Sequence, residues 1–287
     1  MRNKIALGTV QFGLDYGINN TTGQISTGEI KKILKEAELA SVSIIDTAQA
    51  YGNSEERLGQ AGVEEFDLVS KFSNLPEGAN LRDVVLLSLQ RLKLSCLYGI
   101  LFHDFNFWLS NPQSWKKLAE LKKEGLVKKI GFSLYHPSQW KIIEKKGIVP
   151  DLLQIPMNVL NQQFLPFLST FKELGIEVHV RSAFLQGLLL MNIEDSPAEF
   201  AEARPQLEAL EKTAISIGVD KIHICLLWLL QNQSIDHIVL GIDSVQQWKE
   251  NLQAAEWCIN NLDIKINASQ FNCEKEEIIN PSKWKKR

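Results

Sequence analysis

Four ionisable side chains stand at or just after the ends of predicted β-strands. Asp46 ends the buried run "VSIID", and Tyr51 lies in the loop that follows. Lys71 ends "LVSK" and His103 ends "ILFH". Each has an ordinary structural explanation: a loop-capping acid, a turn aromatic, a solvated lysine, a core histidine. Their appearance at three successive strand ends favours one shared site.

The chemistry of these four side chains is coherent. Lys71 follows an apolar run, so it needs a buried partner, and Asp46 is the available carboxylate. A fixed positive charge near Tyr51 predicts a phenol pKa below the usual value of about 10. Tyr51 would then donate a proton near neutral pH. Protonation of a developing alkoxide implies a hydride donor, and therefore a cofactor.

Two other kinds of chemistry find no support in the residues. No nucleophile has a dedicated base beside it in the sequence. The best-placed histidines, His103 and His179, lie on different predicted strands without a carboxylate at ligand spacing, so no metal site is expected. The remaining histidines are His136, His223 and His237.

Short β-rich runs alternate eight times with amphipathic segments. This alternation predicts parallel strands with helical crossovers. Eight units favour an α/β fold of the closed (β/α)8 TIM-barrel type, with the site at the C-terminal strand ends. An open dinucleotide-binding sheet would need G-x-G-x-x-G after the first strand, where "LGTVQFG" stands. We expect one domain over 1–287, with residues 186–205 forming a loop over the barrel mouth. The predicted strands are 4–9, 42–47, 66–72, 97–104, 128–134, 151–157, 176–183 and 236–242.

Composition narrows the class of protein further. The 287 residues are 45% hydrophobic and 23% charged with a net charge of −3, which gives no electrostatic argument for nucleic acid or a membrane surface. The four cysteines form no C-x-x-C pair, as is usual for reduced thiols. The longest apolar run, 224–230, is too short to span a bilayer. We expect a cytoplasmic protein that acts on a small molecule, with a monomer favoured.

The segment "DTAQAYGNSEERLG" resembles the Asp-Thr-Ala-x-x-Tyr-Gly-x-x-Glu segment of the aldo-keto reductases. Five further segments resemble that superfamily in the correct order: "LGTVQFG", "SKF" with "LFHD", "KKIGFSLYHPSQW", "LLQIPMNVLN" and "VLGIDSVQQWKENLQA". The resemblance covers nearly the whole chain. It implies a TIM-barrel reductase that transfers hydride from NAD(P)H to an aldehyde or ketone.

The resemblance also implies roles for individual residues. Tyr51 would be the proton donor, Lys71 with Asp46 would tune it, and His103 would orient the carbonyl. Ser133 and Gln154 would bind the nicotinamide carboxamide, and the 182–187 loop would hold the pyrophosphate. The full set of expected cofactor contacts is Gly8, Thr9, Ser133, Gln154, Asn158, Arg181, Ser182, Phe184, Gln186, Gly187, Gly241, Asp243, Ser244, Gln247, Glu250 and Asn251.

The match departs from the superfamily at both ends of the cofactor. Arg181 stands where many relatives carry an aromatic residue, and it could stack, contact phosphate or bind an anionic substrate. Relatives that prefer NADPH usually carry Lys or Arg near Asp243 and Gln247, where this chain has an acid and an amide. Lys249 could bind phosphate only if it faces the cleft. NADPH is expected, with NADH possible.

Aromatic residues in two loops are expected to wall the substrate pocket, namely Phe12, Tyr16, Phe105 and Trp108. With a short C-terminal segment, this predicts an open site for a sugar or keto-sugar. Two alternatives stay open. One is a Schiff-base aldolase that uses Lys71. The other is a reductase-like barrel that binds cofactor as a regulatory or sensor subunit.

Overall fold

Eight parallel strands close into a barrel in which β1 pairs with both β2 and β8. The computed structural model describes residues 4–18, 20 and 23–284, so the other positions of the predicted 1–287 domain lie outside the described residues. The predicted (β/α)8 barrel is confirmed, and the predicted strands differ at their ends by no more than two residues. The strands are β1 Ile5–Gly8, β2 Ile44–Asp46, β3 Asp67–Phe72, β4 Leu97–Phe102, β5 Val127–Ser133, β6 Leu152–Pro156, β7 Glu177–Arg181 and β8 His237–Gly241.

Helices follow the strands and cover the outside of the barrel. Their starts carry local signals: Asn80 and Asp83 form a capping box, and Pro137 occupies the first turn of its helix. The α-helices are α1 Val10–Gly13, α2 Thr27–Leu39, α3 Ser54–Ala61, α4 Leu81–Leu92, α5 Phe105–Ser110, α6 Gln113–Lys123, α7 Pro137–Lys145, α8 Leu168–Glu173, α9 Arg204–Ile217, α10 Lys221–Leu230, α11 Val245–Asn260 and α12 Glu276–Ile279. Short 3-10 helices lie at Leu165–Phe167, Leu185–Gly187, Ile193–Asp195, Ala198–Ala203, Ala268–Phe271 and Pro281–Lys283.

The barrel interior holds a small apolar layer that sets the direction of the site residues. Side chains two positions apart on a strand point to the same face. Every residue of the layer is therefore followed, two positions later, by a residue that faces the interior near the C-terminal mouth. Asp46 follows Ile44 in this way, Lys71 follows Val69, and Gln154 follows Leu152. The layer comprises Ala6, Ile44, Val69, Leu101, Leu152 and Val239.

The segment after β7 lies partly over the mouth, as predicted. Phe184, Gln186 and Gly187 line the cavity there, whereas Phe200 packs with α9 in a second apolar cluster. Within the described ranges, no single helix is long and apolar enough to cross a membrane. One bent pair, Ala198–Ile217 with Lys221–Leu230 at 92°, meets that requirement by length and composition alone.

Candidate active site

A buried ion pair forms the base of the site. Lys71 Nζ lies 2.7 Å from Asp46 Oδ2, with side-chain exposures of 0% and 5%. The ammonium also donates to the Thr47 carbonyl at 2.8 Å. The other carboxylate oxygen, Asp46 Oδ1, accepts from Gln154 Nε2 at 2.7 Å. Because both charges are paired and further hydrogen-bonded, the pair can remain buried and rigid.

Tyr51 lies directly above this ion pair. Lys71 Nζ is 3.4 Å from the phenol oxygen and 4.9 Å from the ring centroid. The His103 ring meets the Tyr51 ring edge-on, with centroids 5.8 Å apart. Tyr51, Asp46 and His103 line a cavity of about 450 Å³ at the C-terminal ends of the strands, and Lys71 lies beneath its wall. The structure thus brings together all four residues selected from the sequence.

Two glycines fix the Tyr51 loop, and the sequence analysis did not single them out. A Cβ on Gly13 would overlap the Tyr51 carbonyl oxygen, so only glycine allows α1 to approach so closely. Gly52 has φ +57°, and a Cβ there would overlap the Gly13 carbonyl oxygen. Ser54 N donates to the Tyr51 carbonyl at 3.0 Å and joins the loop to α3. The signal in the sequence was a glycine directly after Tyr51, in a turn.

The pKa of Tyr51 is shifted in the direction opposite to the sequence prediction. Burial raises the pKa of the phenol above its usual value of 10.0, and the Asp46 carboxylate raises it further. Burial also lowers the pKa of Lys71, whose charge is balanced by Asp46. Burial and the Asp46 carboxylate therefore outweigh the positive charges near Tyr51, and the predicted lowering is wrong. Tyr51 keeps its proton at neutral pH, as a proton donor must.

His103 is neutral in this environment. Burial lowers the pKa of the imidazole to about 3, and the positive charges of Lys71 and Arg181 add to the effect. Within the described structure, His103 Nδ1 is buried without a hydrogen-bond partner. A neutral imidazole has one N–H to donate, which is what a hydrogen bond to a carbonyl oxygen requires.

These protonation states predict a flat pH profile. Tyr51 stays protonated and His103 stays neutral, so neither should titrate between about pH 5 and 9 during turnover. The measurement is kcat/KM for reduction across that range, with single-turnover rates to isolate the chemical step. A loss of the chemical rate with a midpoint inside this window, abolished when His103 is replaced by Gln, would contradict the assignment of a neutral His103.

The sixteen expected cofactor contacts divide into three groups: three line neither cavity, two line only a neighbouring cavity, and eleven line the main cavity. Asn158 and Ser244 lie outside the cavity wall: Asn158 Nδ2 donates to the Ser182 carbonyl at 3.0 Å, and Ser244 caps α11 by accepting from Gln247 N. Ser133 is buried beside Gln154 in the sheet register. Glu250 and Asn251 line a neighbouring cavity instead. Eleven line the main cavity, namely Gly8, Thr9, Gln154, Arg181, Ser182, Phe184, Gln186, Gly187, Gly241, Asp243 and Gln247.

Three of the four expected substrate contacts are core residues. Phe12 and Trp108 are 0% exposed and Phe105 is 5% exposed. The loop after β4 is not irregular but forms α5, capped by Asp104, and its buried face packs Phe105 and Trp108 against Phe132. Those predictions are wrong because helix spacing turned the aromatic rings inward. Only Tyr16 lines the cavity, where its hydroxyl accepts from Gln186 Nε2 at 2.9 Å.

Trp108 is a fully buried member of an aromatic cluster with Phe105 and Phe132. Trp108→Ala should lower the free energy of unfolding by about 3–5 kcal/mol, because it leaves a void in a packed aromatic cluster. The KM of the surviving folded enzyme should stay close to the wild-type value. Chemical denaturation and steady-state kinetics on one preparation check both statements. A large rise in KM with unchanged stability would instead indicate that Trp108 contacts the substrate.

The sequence analysis missed two features of the mouth and one feature of the opposite end. Tyr135 lines the cavity, and the Arg181 guanidinium stacks on its ring at 4.2 Å.

At the N-terminal end of the barrel, ligand atoms of Glu177, His179 and His237 lie within 4.8 Å of one another. The Glu177 carboxylate is already bound by His179, Tyr98 and Lys129. The group forms a polar floor of the barrel in which three side chains engage the Glu177 carboxylate, while His179 Nδ1 and His237 Nδ1 are buried without a partner in the described structure.

The fold and the site together define a class of protein: a closed (β/α)8 barrel with a cluster of ionisable side chains at its C-terminal mouth. A sequence profile of the Aldo/keto reductase family matches residues 4–268. The chain belongs to this family and is an oxidoreductase.

Individual relatives are distant. The chain is 32% identical over 152 residues to methylglyoxal reductase of Escherichia coli K12, covering 49% of this chain and 53% of that protein. It is 24% identical over 262 residues to L-galactose dehydrogenase of Arabidopsis thaliana, with coverages of 83% and 81%. The holo form of an aldo-keto reductase from Bacillus halodurans superposes with a TM-score of 0.70 at 18% identity, covering 90% and 91% of the two chains. The structural likeness supports the fold.

Proposed function

We propose that this enzyme reduces an aldehyde or ketone to an alcohol by hydride transfer from NAD(P)H, with Tyr51 as the proton donor. The single observation that carries the proposal is the position of Tyr51. Its hydroxyl lies at the cavity wall, 3.4 Å from Lys71 Nζ and next to the neutral His103. The Tyr51 proton can pass to the oxygen of a carbonyl held by His103, and the buried ion pair keeps the phenol in place.

The residues of the mouth fit a nicotinamide dinucleotide. Gln154 donates to Asp46, which leaves Gln154 Oε1 buried without a partner, and Ser133 Oγ beside it is in the same condition in the described structure. An amide N–H would satisfy these acceptors. In the loop after β7, Ser182, Leu185, Gln186 and Gly187 have positive φ, and Leu185 N and Gly187 N close the turn by donating to the Ser182 and Phe184 carbonyls. Ser182 lines the cavity, and its hydroxyl would contact the pyrophosphate. When bound, the dinucleotide supplies the hydride.

We propose a polar, polyhydroxylated carbonyl compound such as an aldose or keto-sugar as the substrate. Phe12, Phe105 and Trp108 do not line the cavity, and its wall includes hydrogen-bonding groups such as Gln11, Tyr16 and Asn20. Its described lining includes no residue after Gln247, so the part of the C-terminal segment that the structure describes does not close it. L-galactose dehydrogenase, one of the distant relatives, is named for a sugar, which agrees with this class.

The structure argues against one of the two alternative functions, the Schiff-base aldolase, and leaves the regulatory barrel to be tested. A Schiff-base aldolase needs an accessible amine, but Lys71 is fully buried and its ammonium is held by Asp46 and the Thr47 carbonyl. That reading has no support. A regulatory barrel would bind the cofactor but would not turn over a carbonyl compound. Only an activity measurement therefore distinguishes it from an enzyme.

The test is a substrate panel with NADH and NADPH in parallel: simple aldehydes, aldoses and nucleotide-linked keto-sugars. We expect oxidation of the reduced dinucleotide with sugar-type carbonyls. Turnover confined to small hydrophobic aldehydes would reject the sugar proposal. Tight dinucleotide binding without turnover of any carbonyl would favour the regulatory alternative.

A further inference from the structure

The cavity at Tyr51 continues into a larger one. The two share Phe184, Leu190 and Gln247, and the second, of about 810 Å³, lies among α9, α10 and α11. The first, of about 450 Å³, has the size of a site for one small ligand, too little for a dinucleotide and a substrate together. Given the proposed function, on which this inference rests, a nicotinamide near Tyr51 places the adenosine in the second cavity.

The wall of the second cavity is largely apolar and amide-bearing, and three of its four Asp, Glu, Lys or Arg residues are acids. Glu211, Asp220 and Glu250 belong to its wall. Its described lining contains one lysine, Lys221, which is already engaged: Nζ donates to the Met191 carbonyl and lies 3.8 Å from Glu211 Oε1. A phosphate group entering this cavity would meet three carboxylates and a cation that is partly neutralised.

Two buried acceptors line the Tyr51 cavity close to Gln247, a residue that both cavities share. Asp243 Oδ1 and Gln11 Oε1 are buried there, and neither has a partner in the described structure. Burial raises the pKa of Asp243, a side-chain hydrogen bond with Gln11 opposes the rise, and the Asp15 carboxylate adds to it. Gln247 Oε1 is occupied by Asp243 N at 2.6 Å. A sugar hydroxyl can donate to the two free acceptors, whereas a phosphate cannot.

Lys249, the remaining candidate for a phosphate contact, faces away. Its ammonium lies 3.0 Å from Glu36 Oε1 on α2, and it does not line either cavity. We propose that the enzyme selects NADH, the dinucleotide with an unphosphorylated adenosine ribose, over NADPH. The acids of the second cavity and Asp243 are the residues that determine this specificity.

Calorimetric titration of the wild-type protein with each reduced dinucleotide tests the proposal without reference to turnover. NADH should bind at least about tenfold more tightly than NADPH at low ionic strength. The ratio should shrink as salt is added, because the repulsion is electrostatic. Equal binding, or tighter binding of NADPH, would overturn the selectivity and leave the reductase function intact. Binding of neither dinucleotide would overturn both.

Substitutions of the acidic residues test which side chains cause the preference for NADH. Glu250→Gln combined with Asp243→Asn should strengthen NADPH binding several-fold and bring the ratio of dissociation constants towards unity. Lys249→Gln is the matched control, because it changes a charge on the same helix at a side chain that faces Glu36. Its ratio should equal that of the wild type. An unchanged ratio in the double variant, or a lower NADPH affinity in Lys249→Gln, would contradict the assignment of these residues.

Discussion

Tyr51→Phe should lower kcat for carbonyl reduction by about 10²- to 10⁴-fold, the usual contribution of a positioned proton donor. The ring and its contacts with His103 and Lys71 remain, so only the transferable proton is lost. Cofactor affinity should change little, because the hydroxyl makes a long, 3.4 Å contact with Lys71 and the variant leaves the rest of the wall intact. Steady-state kinetics and dinucleotide titration separate the two effects.

Tyr135→Phe is the matched control for this prediction. It removes a phenol hydroxyl from the wall of the same cavity, but that hydroxyl takes no part in the hydrogen bonds of the ion pair, and its ring supports Arg181. Its loss of kcat should be far smaller. Comparable reduction by Tyr51→Phe and the wild type, or equal losses in the two variants, would remove Tyr51 from the role of acid.

Lys71→Met should be the most destabilising substitution in the site. It leaves the Asp46 carboxylate buried with Gln154 as its remaining side-chain donor, and breaking a buried pair in this way costs about 3–5 kcal/mol in the free energy of unfolding. Asp46→Asn should be costly for the converse reason, an uncompensated buried ammonium. Chemical denaturation of both variants measures the loss.

The double variant Lys71→Met with Asp46→Asn separates stability from catalysis. It removes both charges while an amide oxygen at position 46 can still accept from Gln154. Much of the lost stability should return, and the double-mutant cycle should give a clear favourable coupling energy. Activity should stay low, because the phenol loses the 3.4 Å contact with the ammonium that holds it in place. If stability and activity return together, the pair has only a structural role.

Much of this site follows from strand periodicity. Once eight strands and a barrel are inferred, Asp46, Lys71 and His103 must converge, because each lies two positions after an inward-facing apolar residue. The register between neighbouring strands then places Ser133 beside Gln154. Local pattern and parallel pairing are enough for these residues.

Other features depend on packing that the sequence pattern does not encode. Phe105 and Trp108 look like loop aromatics until the loop coils into α5 and turns them into the core. The pKa of Tyr51 depends on whether the Lys71 charge is already neutralised and on how deeply the phenol is buried. Both are properties of the assembled barrel, so the sequence predicted the participants but the wrong direction of the pKa shift.

Isotope transfer tests the central claim most directly. The enzyme is mixed with a reduced dinucleotide carrying deuterium on the transferable position and with a carbonyl substrate that the panel identifies, and the alcohol is examined by mass spectrometry. We expect a single deuterium on the former carbonyl carbon in the wild-type product, and almost no alcohol from Tyr51→Phe with the same cofactor bound. An alcohol without deuterium, or labelled alcohol formed equally fast by Tyr51→Phe, would contradict Tyr51-assisted hydride transfer.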